Sequence, residues 1–216
     1  MVVECDEALA FVWHLGMSGS VRIYQGADEY EALKHDHVVF GTDNGACVAF
    51  NDPRRFGMMY LVDEDWEALE PFSRMGPEPL GNGFSAGALA EKLVNKKAPI
   101  KTALLDQRVV AGLGNIYVCE ALYRAGVHPA RLSLDVGEGE VAALVGHVRD
   151  VLGEAIESGG SSLRDHKMTD GSLAYFQHHF DVYDREGEAC GRCGKNCVER
   201  IVQSGRSSFF CSNTQV

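Results

Sequence analysis

The apolar residues of this chain change their period once, and that change restricts the fold more than any other feature. Up to Asp63 they fall in short β-branched or aromatic runs, "ALAFVWHL", "GSVRIY", "HVVFGTD", "ACVAFND" and "FGMMYLVD", parted by Gly, Asp and Asn. Runs of that kind predict strands. From Ser85 the period is helical. "SAGALAEKLVN" has Ser85 as an N-cap candidate, "IKTALLDQ" is a short helix, and "NIYVCEALYRAG" has Asn115 in an N-cap position with Gly126 as a C-cap. In "EVAALVGHVRDVLGEAIESGG", Val141, Leu144, Val145, Val148, Val151, Leu152 and Ile156 form one apolar stripe at helical spacing. That stripe is core, not a cofactor-binding face. Strands followed by helices predict an α+β fold.

The boundaries follow the same change. Residues 1–62 are a β-rich part. Residues 63–84, with acidic and Pro/Gly-rich stretches, read as a linker with room for a short helix. Residues 85–180 are a helical domain, and residues 181–216 a small β-ribbon module. Within the helical part, Gly159–Phe176 is rich in Ser, Gly and Asp and reads as a flexible loop. The opening stretch, "MVVECDEALAFVW", reads as a chain that begins inside an apolar strand.

Composition narrows the partners. No apolar run is long enough to cross a bilayer, and no charged segment precedes an apolar one with a small-residue cleavage site, so a cytoplasmic protein without a membrane partner is expected. A net charge of −11 argues against nucleic acid. Its distribution weakens that objection: Lys92–Arg131 holds seven basic and two acidic side chains and carries +5, while acidic residues gather in "VDEDWEALE" and "DVGEGE".

Four groups of residues suggest chemistry. Cys190, Cys193, Cys197 and Cys211 cluster near the end of the chain, and in a cytosolic protein such clustering points to metal rather than disulfides. A zinc ribbon places a second C-x2-C after Cys211, so its fourth ligand position is Thr214, which is not a usual zinc ligand. Two readings stay open: bound zinc, with Cys197 supplying a fourth thiolate if the first knuckle rearranges, or a metal-free β-hairpin. In "QSGRSSFF", Arg206 stands beside Gly205 on a hairpin turn, where a guanidinium can fork onto a phosphate; alone, it is an ordinary surface Arg. "GLGNIY" leads two glycines into a helix start, a natural phosphate site but a weak signal by itself. In "HLGMSGS" and "NDPRRFG", Met17 and Phe56 read as core by composition, and as wedges into a base stack when Arg54 is counted with them.

"HLGMSGS", "HDHV", "DPRRFG", "MGPEPL", "GLGNIY", "AGVHPAR" and "C-x2-C…QSGRSSFFC" occur in that order over nearly the whole chain. In this combination the sequence resembles bacterial formamidopyrimidine-DNA glycosylases, base-excision-repair enzymes for oxidised purines. The resemblance implies a partial N-terminal β-sandwich, a helix-two-turn-helix DNA-binding domain and a C-terminal zinc-ribbon-like β-hairpin. The implied partner is double-stranded DNA with a damaged or abasic site, bound by a monomer in the bacterial cytoplasm, with the nucleoid. Met17, Arg54 and Phe56 match the triad that fills the void opposite a flipped lesion. His35, Arg54, Lys96, Lys101 and Asn115 match DNA contacts. Arg206 matches the finger arginine that holds phosphates and assists elimination, and Cys190, Cys193 and Cys211 match three of four zinc ligands. Gly159–Phe176 matches the loop that closes over the flipped base.

The family's nucleophile is an N-terminal proline amine followed by a glutamate, with a lysine just ahead of the strand that here opens the chain. None of the three stands in this sequence, so whether the chain is an enzyme stays open. The expectation is a family member lacking its first few dozen residues, inactive as it stands, with an unpaired sheet edge and poor solubility. The alternative is a non-catalytic damaged-DNA-binding module.

Overall fold

The structure is a computed structural model and describes residues 2–5, 9–63, 65–70, 72–160, 179–195 and 197–216. They group into two compact units, one built on Met1–Ser73 and the other on Arg74–Glu157 with His178–Val216.

The strands described in the N-terminal unit all pair antiparallel: β1 Val2–Glu4, β2 Leu9–His14, β3 Ser20–Tyr24, β4 Asp36–Gly41, β5 Cys47–Asn51 and β6 Met58–Asp63. One sheet has the order β1-β2-β6 and the other β3-β5-β4. Aromatic side chains join them: the Trp13 ring of β2 lies 5.7 Å from Phe40 of β4 and 5.1 Å from Phe50 of β5, and Phe11 stacks on Phe40 at 6.2 Å. This is the sandwich that the sequence predicts. The opening stretch differs from the expectation. It is two strands of a hairpin, with Val2 opposite Val12 and the Cys5 amide donating to the Leu9 carbonyl at 2.8 Å. In this sheet β1 and β6 are the outer strands, and Met58, Tyr60 and Leu61 of β6 are exposed.

The second unit contains α1 Ala86–Leu93, α2 Ile100–Leu104, α3 Asn115–Ala125 and α4 Glu138–Glu157, then β7 Val198–Gln203 and β8 Arg206–Cys211. Ser85 caps α1 as its chemistry dictates, its hydroxyl accepting from the Ala88 amide at 3.2 Å. Gly126 ends α3 in the left-handed region, φ 73°, with the Val127 amide donating to Leu122 and the Gly126 amide to Tyr123, a Schellman closure. The N-cap of α3 is Gly114, not Asn115. Asn115 is the first helical residue, and its side chain is drawn away to the β7–β8 hairpin. The α4 stripe is buried from Val141 through Val151 and the core contact continues at Ala155, whereas Ile156 is 64% exposed.

Two polar ties between distant segments, one made by an exposed arginine and one by a buried carboxylate, escaped the sequence reading. The Arg149 guanidinium of α4 donates to the carbonyls of Pro79, Gly81 and Phe84 at 2.7–3.1 Å and fastens that irregular segment. The fully buried Glu120 carboxylate of α3 accepts the amides of Asp181, Val182 and Tyr183 at 2.8–3.1 Å and fixes where the chain enters its last module. Burial pushes the Glu120 pKa up, with those three donors offsetting part of the rise. The expected loop at Gly159–Phe176 falls almost wholly on residues 161–178, outside the described residues.

Asp106 is held at about 2 against an ordinary 3.8, first by the Arg108 guanidinium that donates to it at 2.9 Å. A folded pKa below the unfolded one contributes stability that is present above pH 3.8 and lost as pH falls through 2. The stability difference between the chain and Asp106→Asn is expected to be constant above about pH 5 and to shrink toward zero near about pH 2. Urea unfolding at stepped pH checks this; a difference independent of pH would refute the pairing.

Candidate nucleic-acid interface and thiol cluster

In the N-terminal unit two turns are stitched together by one carboxylate. Asp52, 1% exposed, accepts from the Ser18 hydroxyl at 2.6 Å, the Gly57 amide at 2.7 Å and the Arg54 amide at 3.3 Å. The Ser18 bond first, then these amides, hold its pKa below the usual carboxylate range. Gly16 has φ 67°, and a Cβ there would stand 2.7 Å from the Phe56 backbone, so only glycine allows the turns to close on each other. Beyond this knot the side chains face solvent. Met17 is 69% exposed and Phe56 54%, and the Arg54 guanidinium sits 5.0 Å over the Phe56 ring. Composition alone placed Met17 and Phe56 in the core; the structure places both outside it. His35 has a positive φ of 77°, its carbonyl accepts from the Asp52 amide, and its ring lies 6.4 Å from that of His37. Met17, Arg54 and Phe56 are thus brought together.

In the second unit the focus is one backbone carbonyl. The Lys101 ammonium, buried on α2, donates to the Ser207 carbonyl at 2.8 Å and the Ser208 hydroxyl at 2.7 Å. Asn115 Nδ2 donates to the same Ser207 carbonyl at 3.0 Å. Burial lowers the Lys101 pKa, and the nearby Arg206 charge adds to the effect. Ser204 and Gly205, with φ 48° and 75°, make the two-residue turn of the hairpin. Arg206 therefore opens β8 opposite Gln203, one residue from the clamped carbonyl. It is exposed, and its guanidinium makes no hydrogen bond or ion pair among the described residues. Lys96 stands outside this network, its ammonium 3.5 Å from the Asp106 carboxylate.

Four sulfur atoms meet beside the hairpin. Cys190, Cys193, Cys197 and Cys211 place their Sγ atoms within 4.8 Å of one another, with Cys193–Cys197 at 3.0 Å, Cys197–Cys211 at 3.2 Å and Cys193–Cys211 at 3.8 Å. Four thiolates around a tetrahedral zinc at about 2.3 Å lie about 3.8 Å apart, so the set fits such an ion. The Tyr123 hydroxyl is 3.3 Å from Cys190 Sγ and joins α3 to the cluster. Thr214 has a buried hydroxyl without a partner among the described residues, and its amide donates to the Cys211 carbonyl.

Lys101→Met, which keeps the length of the side chain but removes its donors, is expected to lower stability by about 1.5–3 kcal/mol, the contribution of a hydrogen bond made by a charged group. Urea denaturation measures it; an unchanged midpoint would show that the ammonium holds nothing.

The comparisons with known proteins agree with this geometry. A model described as the formamidopyrimidine-DNA glycosylase N-terminal domain matches residues 1–59, and one described as the H2TH domain of that enzyme matches residues 75–167. The formamidopyrimidine-DNA glycosylase of Dinoroseobacter shibae is 51% identical over 224 residues, covering 100% of this chain and 79% of that protein. Among solved structures, MutM (Fpg) of Thermus thermophilus superposes with a TM-score of 0.86 at 38% identity, covering 97% of this chain and 77% of that one. A Lactococcus lactis Fpg mutant in complex with Fapy-dG-containing DNA gives 0.87 at 33% identity, covering 99% and 78%. The matched sandwich, the matched helical domain and these relatives together establish that the chain belongs to the formamidopyrimidine-DNA glycosylase family.

Proposed function

We propose that the protein serves base-excision repair as a glycosylase for oxidised purines, recognising formamidopyrimidine, 8-oxoguanine and abasic sites in duplex DNA. The observation that carries this reading is Arg206: an exposed, uncommitted guanidinium on a hairpin whose neighbouring carbonyl is clamped by Lys101 and Asn115. A guanidinium held in that way can fork onto a phosphate without first leaving an internal partner. The positive end of α3 at Asn115 and the buried Lys101 charge add to the same local field. Their effect is local, since the chain as a whole carries −11.

In this reading Met17, Arg54 and Phe56 enter the stack where the damaged base has left it. The apolar ends replace lost stacking, and the guanidinium meets the orphaned partner base. His35 and Lys96 are further DNA contacts, and Arg206 assists strand elimination after the base is released. Zinc is the ion proposed for the thiol cluster. Bound, it cross-links the loop before β7 to the end of β8 and so stiffens the hairpin that carries Arg206. Met17, His35, Arg54, Phe56 and Lys96 bind and position the duplex, and Arg206 does so before it assists elimination. Base release is a separate readout.

Fluorescence anisotropy with two labelled duplexes, one intact and one carrying a tetrahydrofuran abasic analogue, tests the reading. The chain is expected to prefer the analogue, and Arg206→Ala to weaken that binding about tenfold or more, since a charge-assisted bond contributes about 1.5–3 kcal/mol. The slope of log K against log salt should also fall by about 0.9 for each phosphate the variant no longer neutralises. Equal affinity for both duplexes, or an Arg206→Ala variant that binds as the parent does, would refute it. Borohydride trapping on abasic DNA then separates catalysis from binding: an adduct shows a reactive amine, and binding without one describes a non-catalytic module.

A further inference from the structure

We infer that this chain has moved one zinc ligand: the fourth thiolate is Cys197, in the first knuckle, and not a residue of the second. The inference rests on zinc being the ion proposed above. It concerns which of this chain's residues hold it.

The ligand pattern in the sequence is C-x2-C-x3-C followed by a single cysteine, where a zinc ribbon pairs two C-x2-C knuckles. Backbone geometry shows why three sulfurs of one short segment can point to a common centre. The Gly194 amide donates to the Cys190 carbonyl at 2.8 Å, the Cys190 amide donates back to Lys195 at 2.8 Å, and the Cys197 amide also donates to Lys195 at 2.9 Å. With Gly194 at φ 69°, the segment curls around its own thiols. The register of the hairpin does the rest. Val198 pairs with Cys211, so the residue just before β7 stands at the end of the ladder beside Cys211, and the two sulfurs come to 3.2 Å.

The tail past Cys211 is held by other means. Gln215, 2% exposed, accepts the Cys211 amide at 2.7 Å and donates to the Val127 carbonyl at 2.9 Å. The Val216 amide donates to Gly126, and its carbonyl accepts from His128, both at 3.0 Å. These bonds fix the segment that a fourth ligand at 214 would fix in a two-plus-two ribbon. The three-plus-one arrangement therefore leaves the tail anchored without metal. Thr214 brings a neutral hydroxyl, a poor match for a thiophilic dication, whereas Cys197 brings a thiolate after losing its proton.

Zinc content after purification and dialysis, measured by elemental analysis, tests the assignment, with competition by a chromophoric chelator for affinity. The parent is expected to hold one zinc per chain. Cys197→Ser should weaken zinc by more than about 100-fold, beyond the effect of losing an outer-shell partner. Thr214→Val should keep stoichiometry and affinity. The double variant Cys197→Ser with Thr214→Cys should recover zinc. The parent loaded with cobalt(II) should show the ligand-field and charge-transfer bands of a four-thiolate tetrahedral site, a readout that does not depend on a variant folding. Cys197→Ser with undiminished affinity, or a three-thiolate cobalt spectrum in the parent, would overturn the ligand assignment while leaving zinc in place. A parent chain without zinc affinity would overturn the zinc reading itself.

Discussion

What the helical unit offers to a nucleic acid depends on the carbonyl of Ser207. A carbonyl has two lone pairs, and here both meet donors anchored on the core, the ammonium of Lys101 and the amide of Asn115. Because one donor is charged and buried, its bonds are stronger than those of a neutral pair and costlier to leave unmade. The hairpin therefore cannot slide along α2 and α3 without stranding a positive charge. Arg206, the preceding residue, inherits that position, which is why an exposed and otherwise unrestrained side chain can have a defined base.

Charge is distributed with the same restraint. An acidic chain repels a polyanion at long range, so attraction must come from a few cations that are not neutralised at home. Among the described residues most arginines are committed, for instance Arg22 to Asp36, Arg108 to Asp106, Arg124 to Glu154, Arg131 to Glu140, Arg185 to Glu188 and Arg149 to three carbonyls. Lys101 is bonded to a carbonyl and a hydroxyl, which leaves its charge in place, and Arg206 has no internal partner among the described residues. Local specialisation of this kind favours a defined phosphate contact over general adhesion to DNA.

Much of the fold was legible in the residues. The five runs each yield one strand, Ser85 and Gly126 do what their chemistry allows, and the α4 stripe is core except at Ile156. The failures have physical causes. Local propensity put Asn115 at the N-cap, but a tertiary acceptor, the Ser207 carbonyl, took its side chain instead. Composition placed Met17 and Phe56 inside because large apolar residues usually are. Their exposure follows from the Asp52 knot, which is built from residues 34 to 36 positions apart and has no local signature. Glu120 and Arg149 were invisible for the same reason: each is a single charged letter whose partners lie about 60–70 positions away. Spacing pointed to position 214 for a fourth ligand and kept Cys197 as the alternative; the hairpin register, which spacing cannot express, brings the Cys197 and Cys211 sulfurs to 3.2 Å.

The knot at Asp52 has a further consequence for how a duplex would be searched. The turns carrying Met17, Arg54 and Phe56 are ordered before any DNA arrives, so their conformational entropy has already been lost in folding. On the proposed reading, in which these side chains enter the stack, a probe that need not rearrange can be pressed against one base pair after another. The dwell time at each is then governed by how readily that pair opens. Damage that weakens stacking would halt such a reader through the mechanics of the DNA, before any contact reads the altered base.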